Sequence, residues 1–458
     1  MEKEQLEKTG QQPDVKEALQ VSDILGNSTL KLSKYGGFGI LETTIDGVQN
    51  LNPEKKARKK IFLTESSREL ERKQLKNRLN FLIGLLKDSS TVSDMIQTCE
   101  SKVDIAQGLL KSNLKKSLAS TRDLERSYRS VNLFLKNTES DKLKNLSLMN
   151  AEPDQLKDLD NTTFIDAVSA ELDKNYDRLD LRDNYSLMVI PGYLGSKKVV
   201  DKWAKIAHKN KVMLVTDFEH LDAPDDVMEL FDSANLTGGD AHLSNVIMTC
   251  NWLVGRGKAQ DVGEEEDLYI PPSSALAGKI YKTLMSQVTA GKKHGGMNEV
   301  DGVRFPLKKS EIAQLEKSGL VPMVFEYGSV MAFSAKTLFN GDNLGLQTYS
   351  VVRVFDYVTK VLIDFLNRRA FENFNVNTKM DIQKQIMKFL NGITGPNNLI
   401  EKFKLIRFER DPVQKDRIYL DIHMTPYFPA KNFLIKLDGT KGDDPDSAEW
   451  KSEYDQAS

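Results

Sequence analysis

Apolar residues recur at helical spacing in the first third of the chain. Ser66 and Glu69 have the spacing of a capping box, and leucines then follow at steps of four, three and four. This stripe consists of Leu75, Leu79, Leu82 and Leu86. Further stripes begin at Val92 and Leu124, with Asp and Ser residues between them, so the pattern predicts two or three amphipathic helices over residues 66–136. Their apolar faces can close on each other as a bundle or bind a second polypeptide.

The middle of the chain alternates short apolar runs with helical patterns. Runs over residues 186–190, 212–216 and 245–253 predict buried strands, and helices are predicted over residues 199–208 and 225–234. Strands that alternate with helices are typical of a parallel sheet covered by helices. We therefore expect a central α/β domain.

The last third combines helices with late strands. Helical patterns over residues 351–365 and 382–389 are followed by three strand patterns. The strand patterns cover residues 402–410, 417–424 and 432–437. Apolar side chains at alternate positions are Ile418, Leu420, Ile422 and Met424 in the second pattern, and Phe433, Ile435 and Leu437 in the third. We expect a β-meander whose exposed edges pair with strands of neighbouring chains.

These patterns predict an α/β protein with a helical N-terminal region, a central βαβ sheet domain and a C-terminal α+β domain. We expect a disordered arm over residues 1–35 and a strand with partner-binding helices over residues 36–160. The central domain is expected over residues 161–305 and the C-terminal domain over residues 306–438. Residues 439–458 are rich in Asp and Glu and predict a disordered acidic tail.

Composition narrows the classes of function. The 458 residues allow about two to four domains, and 64 Lys and Arg against 66 Asp and Glu give a net charge of −2. We therefore expect no nucleic-acid partner, although the basic run over residues 55–60 can be a solvated linker or a local nucleic-acid patch. Only Cys99 and Cys250 are present, as expected in a reducing cytoplasm. No signal peptide and no apolar run of the ~20 residues that span a bilayer is recognisable, so we expect no membrane insertion.

The strongest hint of catalysis follows the second predicted central strand. Asp217, Glu219 and His220 come directly after it, at the edge where open α/β sheets place ligands. With Asp240 and His242 they could hold a metal ion, as in a metal-dependent hydrolase with its site near Asp217 and His242. The spacing matches no metal motif, and the chain lacks Gly-x-Ser-x-Gly and Walker sequences. We favour a surface loop and expect neither enzymatic activity nor a cofactor.

One further segment, residues 263–281, reads GEEEDLYIPPSSALAGKIY. Its three glutamates and Asp267 predict a solvated acidic segment before the two prolines. Pro271 and Pro272 fix an extended corner that cannot join a central strand ladder through its nitrogens. Gly278 permits a close backbone approach or tight packing of the segment that follows. Composition alone also allows an ordinary loop.

This segment resembles a signature of contractile sheath proteins. The matching residues are Tyr269, Ile270, Pro271, Pro272 and Ser273, with Gly278 closing the turn. Residues 315–322 and 333–338, the later helices and the last strands extend the likeness, so that residues 160–437 are similar to the large subunit of the type VI secretion sheath, the TssC or VipB family. Ser274 stands where the family usually has glycine, and the first 150 residues match less clearly. Both departures indicate a divergent, Bacteroidetes-type branch.

The resemblance implies a structural role. In this family the large subunit pairs with a small sheath subunit of the TssB or VipA type. The pairs stack with further copies into a helical sleeve around tube rings of the Hcp type, and contraction drives the tube outward for effector delivery. The sleeve stands on a baseplate in a membrane-anchored assembly, and an AAA+ unfoldase recycles it, usually through the small subunit. A phage-tail-type sheath that acts alone is the alternative.

Partner-binding residues follow from this reading. The stripe from Leu75 to Leu86 is expected to bind the small subunit, and the two late strands are expected to link copies of the chain. Because the sleeve must release the inner tube, we expect it to contact the tube through polar side chains and not through a wide apolar surface. The basic set on the first late strand, which a solvated strand face would also explain, is Lys402, Lys404, Arg407 and Arg410.

Overall fold

The computed structural model describes residues 58, 62–139, 141, 143–182, 184–431, 433–439 and 450–455. The predicted arm over residues 1–35 lies outside the described residues, as does most of the basic run over residues 55–60. The chain divides into two compact units, Met1–Lys116 and Ser117–Ser458. None of the described helices is both long and apolar enough to cross a membrane.

The described helices and strands are numbered in chain order. The helices are α1 (Glu69–Asp88), α2 (Val92–Asn137), α3 (Pro153–Lys157), α4 (Thr163–Tyr176), α5 (Lys197–Lys209), α6 (Pro224–Ala234), α7 (Ser273–Lys282), α8 (Gly291–His294), α9 (Lys309–Lys317), α10 (Tyr349–Arg368) and α11 (Val376–Gly392). The strands are β1 (Leu187–Ile190), β2 (Met213–Asp217), β3 (Val246–Cys250), β4 (Leu253–Arg256), β5 (Leu268–Ile270), β6 (Gly302–Val303), β7 (Leu320–Glu326), β8 (Ser329–Ala332), β9 (Ile400–Arg410), β10 (Ile418–Pro426), β11 (Leu434–Gly439) and β12 (Trp450–Asp455).

The leucine stripe of the N-terminal unit lies on α1. Leu75, Leu79 and Leu82 are half-buried, Leu85 is buried, and Leu86 is exposed. Near the end of the helix, the buried leucine is therefore Leu85 and not the predicted Leu86, one residue later.

The second and third predicted stripes lie on one uninterrupted helix. Helix α2 contains 46 residues, and the Asp and Ser residues between the stripes do not end it. Such residues cost only a few tenths of a kcal/mol in a helix interior, and the single glycine, Gly108, costs about 1 kcal/mol. Without a proline to remove a hydrogen bond, the helix continues through them.

The central sheet has the strand order β1-β2-β3-β7-β8. The first four strands are parallel, and β8 pairs antiparallel with β7. Strands β5, β4 and β6 form a smaller antiparallel sheet in that order. The expected parallel sheet covered by helices is therefore present.

Side chains of β2 show how the sheet is covered on both faces. Leu214 belongs to one buried core together with Trp203 of α5, whereas Met213 and Val215 belong to a second core with Ala275 of α7. Strands buried on both faces are typical of parallel sheets. Helix α7, which begins within the Pro-Pro-Ser segment, is thus part of the protein core.

The last third forms a separate core from two helices and a hairpin. Val354 and Val358 of α10 pack with Ile382 and Ile386 of α11, and Phe408 of β9 completes this third core. The two predicted helices and the first two predicted strands are confirmed.

The final strands pair differently from the expected meander. Strand β10 pairs with β9, but β11 pairs with β12, so the last strands form two hairpins. Strand β12 lies within the segment that the sequence predicted to be a disordered tail. Alternation predicts that a strand exists but carries no information about its partner, which depends on contacts distant in sequence.

Candidate functional site

The Pro-Pro-Ser segment forms the corner between β5 and α7. Tyr269 and Ile270 end β5, Pro272 is the N-cap residue of α7, and Ser273 is its first residue. A proline has no N–H, and the first positions of a helix have no intrahelical acceptor for one. The two prolines thus end the strand and begin the helix without leaving buried donors unpaired.

Asp217, at the end of β2, binds the start of α7. Its carboxylate accepts hydrogen bonds from the Ser273 amide at 2.7 Å, the Ser273 hydroxyl at 2.6 Å and the Gly192 amide at 2.8 Å. The Thr249 hydroxyl of β3 donates a fourth bond. Burial raises the pKa of Asp217 to about 6, against the opposing effect of these bonds. One carboxylate therefore connects two strands, the loop after β1 and helix α7.

Three of the five residues considered for a metal site, Asp217, His220 and His242, make separate contacts. His242 Nε2 lies 3.5 Å from Asp201 Oδ1, whereas both oxygens of Asp217 bind the donors described above. The His220 ring lies 4.9 Å from the Trp252 ring and 4.8 Å from the Tyr269 ring, and burial lowers its pKa. In the described part of the chain, no three His, Cys, Asp or Glu side chains are grouped to hold a metal. The structure does not assemble the site that the hydrolase alternative requires.

Helix α7 contacts the C-terminal part of α2 through its smallest residues. A Cβ atom on Gly278 would overlap the backbone carbonyl oxygen of Phe134. One turn earlier, the hydroxyl oxygens of Ser274 and Ser130 lie 2.7 Å apart and are hydrogen-bonded. Ser274 therefore adds a polar contact without preventing the close approach.

An ionic network joins the same part of α2 to the loop before β5. Arg256 Nε lies 2.8 Å from Glu125 Oε1 of α2, and Arg256 Nη1 lies 2.6 Å from Glu264 Oε2. Arg122 of α2 also pairs with Glu264, whose side chain is only 11% exposed. The hydrogen bond from Arg256 holds the pKa of Glu264 at about 2. The prediction that the glutamate run is solvated is therefore wrong for Glu264.

No sequence pattern indicates these contacts. Asp217 and Ser273 are 56 positions apart, and Glu125 and Arg256 are 131 apart. Each residue belongs to a pattern that the sequence showed, but only the fold brings the partners together. The signature is thus a joint between α2, α7 and the central sheet.

The late strands differ in how much apolar surface they expose. Leu420, Ile422 and Met424 of β10 pack partly against the third core, and Ile418 is more exposed. Near and in β11, the side chains of Phe433, Ile435 and Leu437 are all exposed.

The basic set on β9 is divided by its contacts. Lys402 and Lys404 are exposed. Arg407 Nε lies 2.6 Å from Asp421 Oδ2, and its guanidinium lies 4.2 Å from the centre of the Tyr419 ring. Arg410 Nη2 donates to the Phe374 carbonyl oxygen at 3.0 Å. The two lysines are therefore more available to a partner than the arginines are.

Comparison with protein families gives three matches along the chain. A model described as TssC/VipB-like, N-terminal region, matches residues 25–114. The model for the type VI secretion system TssC/VipB central domain matches residues 116–340, and the TssC/VipB-like C-terminal domain matches residues 348–456. A comparison with curated proteins finds no match.

Solved structures of sheath proteins are also similar to this chain. The contracted helical sheath of the anti-feeding prophage shares 18% identity and a TM-score of 0.46, over 68% of this chain and 81% of that chain. The baseplate structure of the same prophage gives 18% identity and a TM-score of 0.41, over 54% of this chain and 65% of that chain. A sheath tail protein from Desulfitobacterium hafniense gives 12% identity and a TM-score of 0.38, over 58% and 60%.

The helical N-terminal region, the α/β centre and the α+β end, matched in order by three family models, define a structural protein of the contractile-sheath class. More particularly, the chain belongs to the TssC/VipB family of the type VI secretion system. The resemblance inferred from the Pro-Pro-Ser segment is confirmed.

Proposed function

We propose that this chain is the large subunit of a contractile sheath that assembles with a small subunit around an inner tube and contracts to propel it for effector delivery. The observation that carries the proposal is the ordered match to the TssC/VipB family over residues 25–114, 116–340 and 348–456. The role is mechanical and not enzymatic, and it is exercised in the bacterial cytoplasm within a membrane-anchored assembly.

The small subunit would bind the N-terminal helices. In the first unit, Ile105, Leu109 and Leu110 of α2 are each about 60% exposed. Exposed apolar residues in this number on one helical segment favour a covering partner. On α1, Leu75, Leu79 and Leu82 of the predicted stripe are half-buried, but Leu86 is 61% exposed, so both helices offer apolar surface to a partner.

Neighbouring copies would be linked through the late strands. The β11–β12 hairpin has two strands, and Ile435 and Leu437 on it are exposed by 45% and 63%. An isolated two-stranded hairpin is at best marginally stable in water, so a strand from a neighbour would stabilise it through main-chain hydrogen bonds. Strand β10 also has one side that is unpaired within the described chain.

The remaining partners follow from the family. Lys402 and Lys404 would contact the inner tube through screened, reversible charge interactions. The baseplate would bind the end of the sleeve, and an AAA+ unfoldase would recycle it indirectly, through the small subunit.

Co-expression with the small-subunit gene, affinity purification and negative-stain electron microscopy test the proposal. We expect tubular sleeves that contain both chains. Leu109→Glu with Leu110→Glu should abolish co-purification, whereas Gln107→Glu with Lys111→Glu, at exposed polar positions on the opposite side of the same helix, should not. Sleeves formed by this chain alone would select the phage-tail-type alternative. A chain that stays solitary with every small subunit would contradict both.

A further inference from the structure

The turn between α10 and α11 presents an aromatic side chain to solvent. Phe371 has a relative exposure of 107% and a φ of +70°. Val376 and Met380, one turn apart on α11, are exposed by 73% and 64%. A bulky residue with left-handed backbone is an outlier that persists only where its surroundings impose it, and such outliers concentrate at functional positions.

Contacts on both sides of the exposed ring hold this turn in place. Arg369 Nη2 lies 2.9 Å from Glu372 Oε2 and 2.7 Å from Asp381 Oδ2, so one guanidinium ties the turn to α11. Phe374 packs edge to face on Phe408 of β9 at 5.6 Å between ring centres, which anchors the turn to the third core. The ring is therefore presented by a structured turn, and little conformational freedom remains to be lost on binding.

A groove of suitable size lies elsewhere in the same unit, between β6 and β7. Its volume is about 250 Å³. Its apolar walls are Val303, Pro306, Leu307, Val324 and Phe325. An apolar cavity of about 150 Å³ already accepts benzene, so the groove can take a phenyl ring.

The charges beside the ring and beside the groove are opposite. The hydrogen bond to the Phe374 carbonyl oxygen places the Arg410 guanidinium at the aromatic turn. Among the described residues, no acidic side chain pairs with it. At the groove, Asp301 and Glu326 are exposed lining residues, and neither has a basic partner within the described chain.

We propose that Phe371 of one copy inserts into the β6–β7 groove of a second copy, with Arg410 facing Asp301 and Glu326 across the contact. Helical assemblies are built from head-to-tail contacts, in which a projection on one surface meets a recess on a different surface of the next copy. Every copy of this chain carries this projection and this recess. The contact can therefore repeat from copy to copy along a helix without closing into a ring. This inference rests on the proposed function, because it joins copies within the sleeve.

Disulfide trapping tests the contact in the complete assembly. Chains carrying Ala370→Cys and Glu326→Cys, which keep the Phe371 ring and the Phe325 wall and are each combined with Cys99→Ser, are co-expressed with the small subunit and mildly oxidised. Cys250 is buried and stays in place. We expect a covalent dimer that contains one chain of each kind. The matched control replaces Val413, which is 90% exposed in the β9–β10 connection, in place of Ala370. It should give roughly tenfold less dimer, because a disulfide needs Cα atoms within ~7 Å.

Charge substitution tests the same contact without crosslinking. Phe371→Asp should leave a folded chain that still binds the small subunit but forms no sleeves, whereas Val413→Asp should form them. Equal dimer yields from both cysteine pairs, normal sleeves from Phe371→Asp, or trapping of Ala370→Cys on the tube protein instead would overturn the proposal. If the unmodified chain forms no sleeves with its small subunit, the proposed function itself fails, so the two failures are distinguishable.

Discussion

The carboxylate of Asp217 accepts hydrogen bonds from both the backbone amide and the hydroxyl of Ser273, at 2.7 and 2.6 Å. This pair joins the end of β2 to the first residue of α7. Both residues are fully buried, so a lost bond is not replaced by bulk water. The Pro-Pro-Ser segment is therefore held to the sheet by a residue outside the signature.

Asp217→Asn should lower the stability of the protein. An amide has one acceptor oxygen, and its NH₂ group would face either the Gly192 amide and the Ser273 hydroxyl or the Ser273 amide and the Thr249 hydroxyl. We expect the free energy of unfolding to fall by about 2–3 kcal/mol, because buried donors lose their acceptor. Urea denaturation followed by circular dichroism measures this. Asp240→Asn, at an exposed position, should change it by less than about 0.5 kcal/mol; equal effects would refute the assigned role of Asp217.

Gly278→Ala should separate α7 from α2. The new methyl group would meet the Phe134 carbonyl oxygen, so a backbone must move. We expect a loss of about 1–3 kcal/mol in the free energy of unfolding, as for other overpacked cores.

Gly108→Ala is the matched control for that substitution. A Cβ atom at Gly108 on α2 would meet nothing within 4 Å. Alanine favours a helix interior over glycine by about 1 kcal/mol, so this change should stabilise the protein. The thermal unfolding temperatures of the two variants should shift in opposite directions, and an increase for both variants would show that crowding at Gly278 is unimportant.

Acid should weaken the contact between α2 and the loop before β5. The pKa of Glu264 is about 2 in the folded chain, against an ordinary value of 4.5, because Arg256 donates to the carboxylate. Between pH 4.5 and 2 the folded chain thus binds fewer protons than the unfolded chain. The contribution of Glu264 to stability is therefore complete above this range and is lost as the pH falls through it.

Stability measured against pH checks this sign. The difference in unfolding free energy between the unmodified chain and Glu264→Gln should shrink as the pH falls from 4.5 to 2. Glu266→Gln, at an exposed position of the same run, should change the free energy of unfolding by less than about 0.5 kcal/mol. A difference that grows on acidification would contradict the assignment.

Phe371→Gly should stabilise the folded chain while preventing assembly. Glycine adopts left-handed backbone without the cost of about 1 kcal/mol that a residue with a Cβ bears. Chemical denaturation should therefore show a gain of about that size, less the entropy of a more flexible unfolded chain. Electron microscopy of the same variant should show no sleeves. Lost stability would instead mean that the ring supports its own subunit.

The elements that could be predicted from the sequence are those that depend on the local spacing of apolar residues. The stripe at Leu75, Leu79 and Leu82, the runs that form β1 to β3, and the alternation from Ile418 to Met424 each depend on neighbours along the chain. Elements with such patterns were found at or near the predicted positions. The boundary between the second and third helical stripes was wrong because Ser and Asp only weaken a helix.

The unpredictable part depends on residues brought together from distant positions. Nothing in the alternation of Ile435 and Leu437 shows that their strand pairs with residues 450–455 instead of with β10. Glu264 looks like any member of an acidic run until Arg122 and Arg256 lie beside it. Asp217 looks like a catalytic carboxylate after a strand until its four donors are seen.

The joint built around Asp217 and Gly278 has a mechanical consequence. Four hydrogen bonds and a backbone approach too close for one methyl group leave the sheet, α7 and the end of α2 no room to slide past one another. We therefore expect a sleeve made of this chain to shorten by rotation of whole, undeformed protomers about their surface links. The flexibility of the sleeve is then confined to the contacts between protomers.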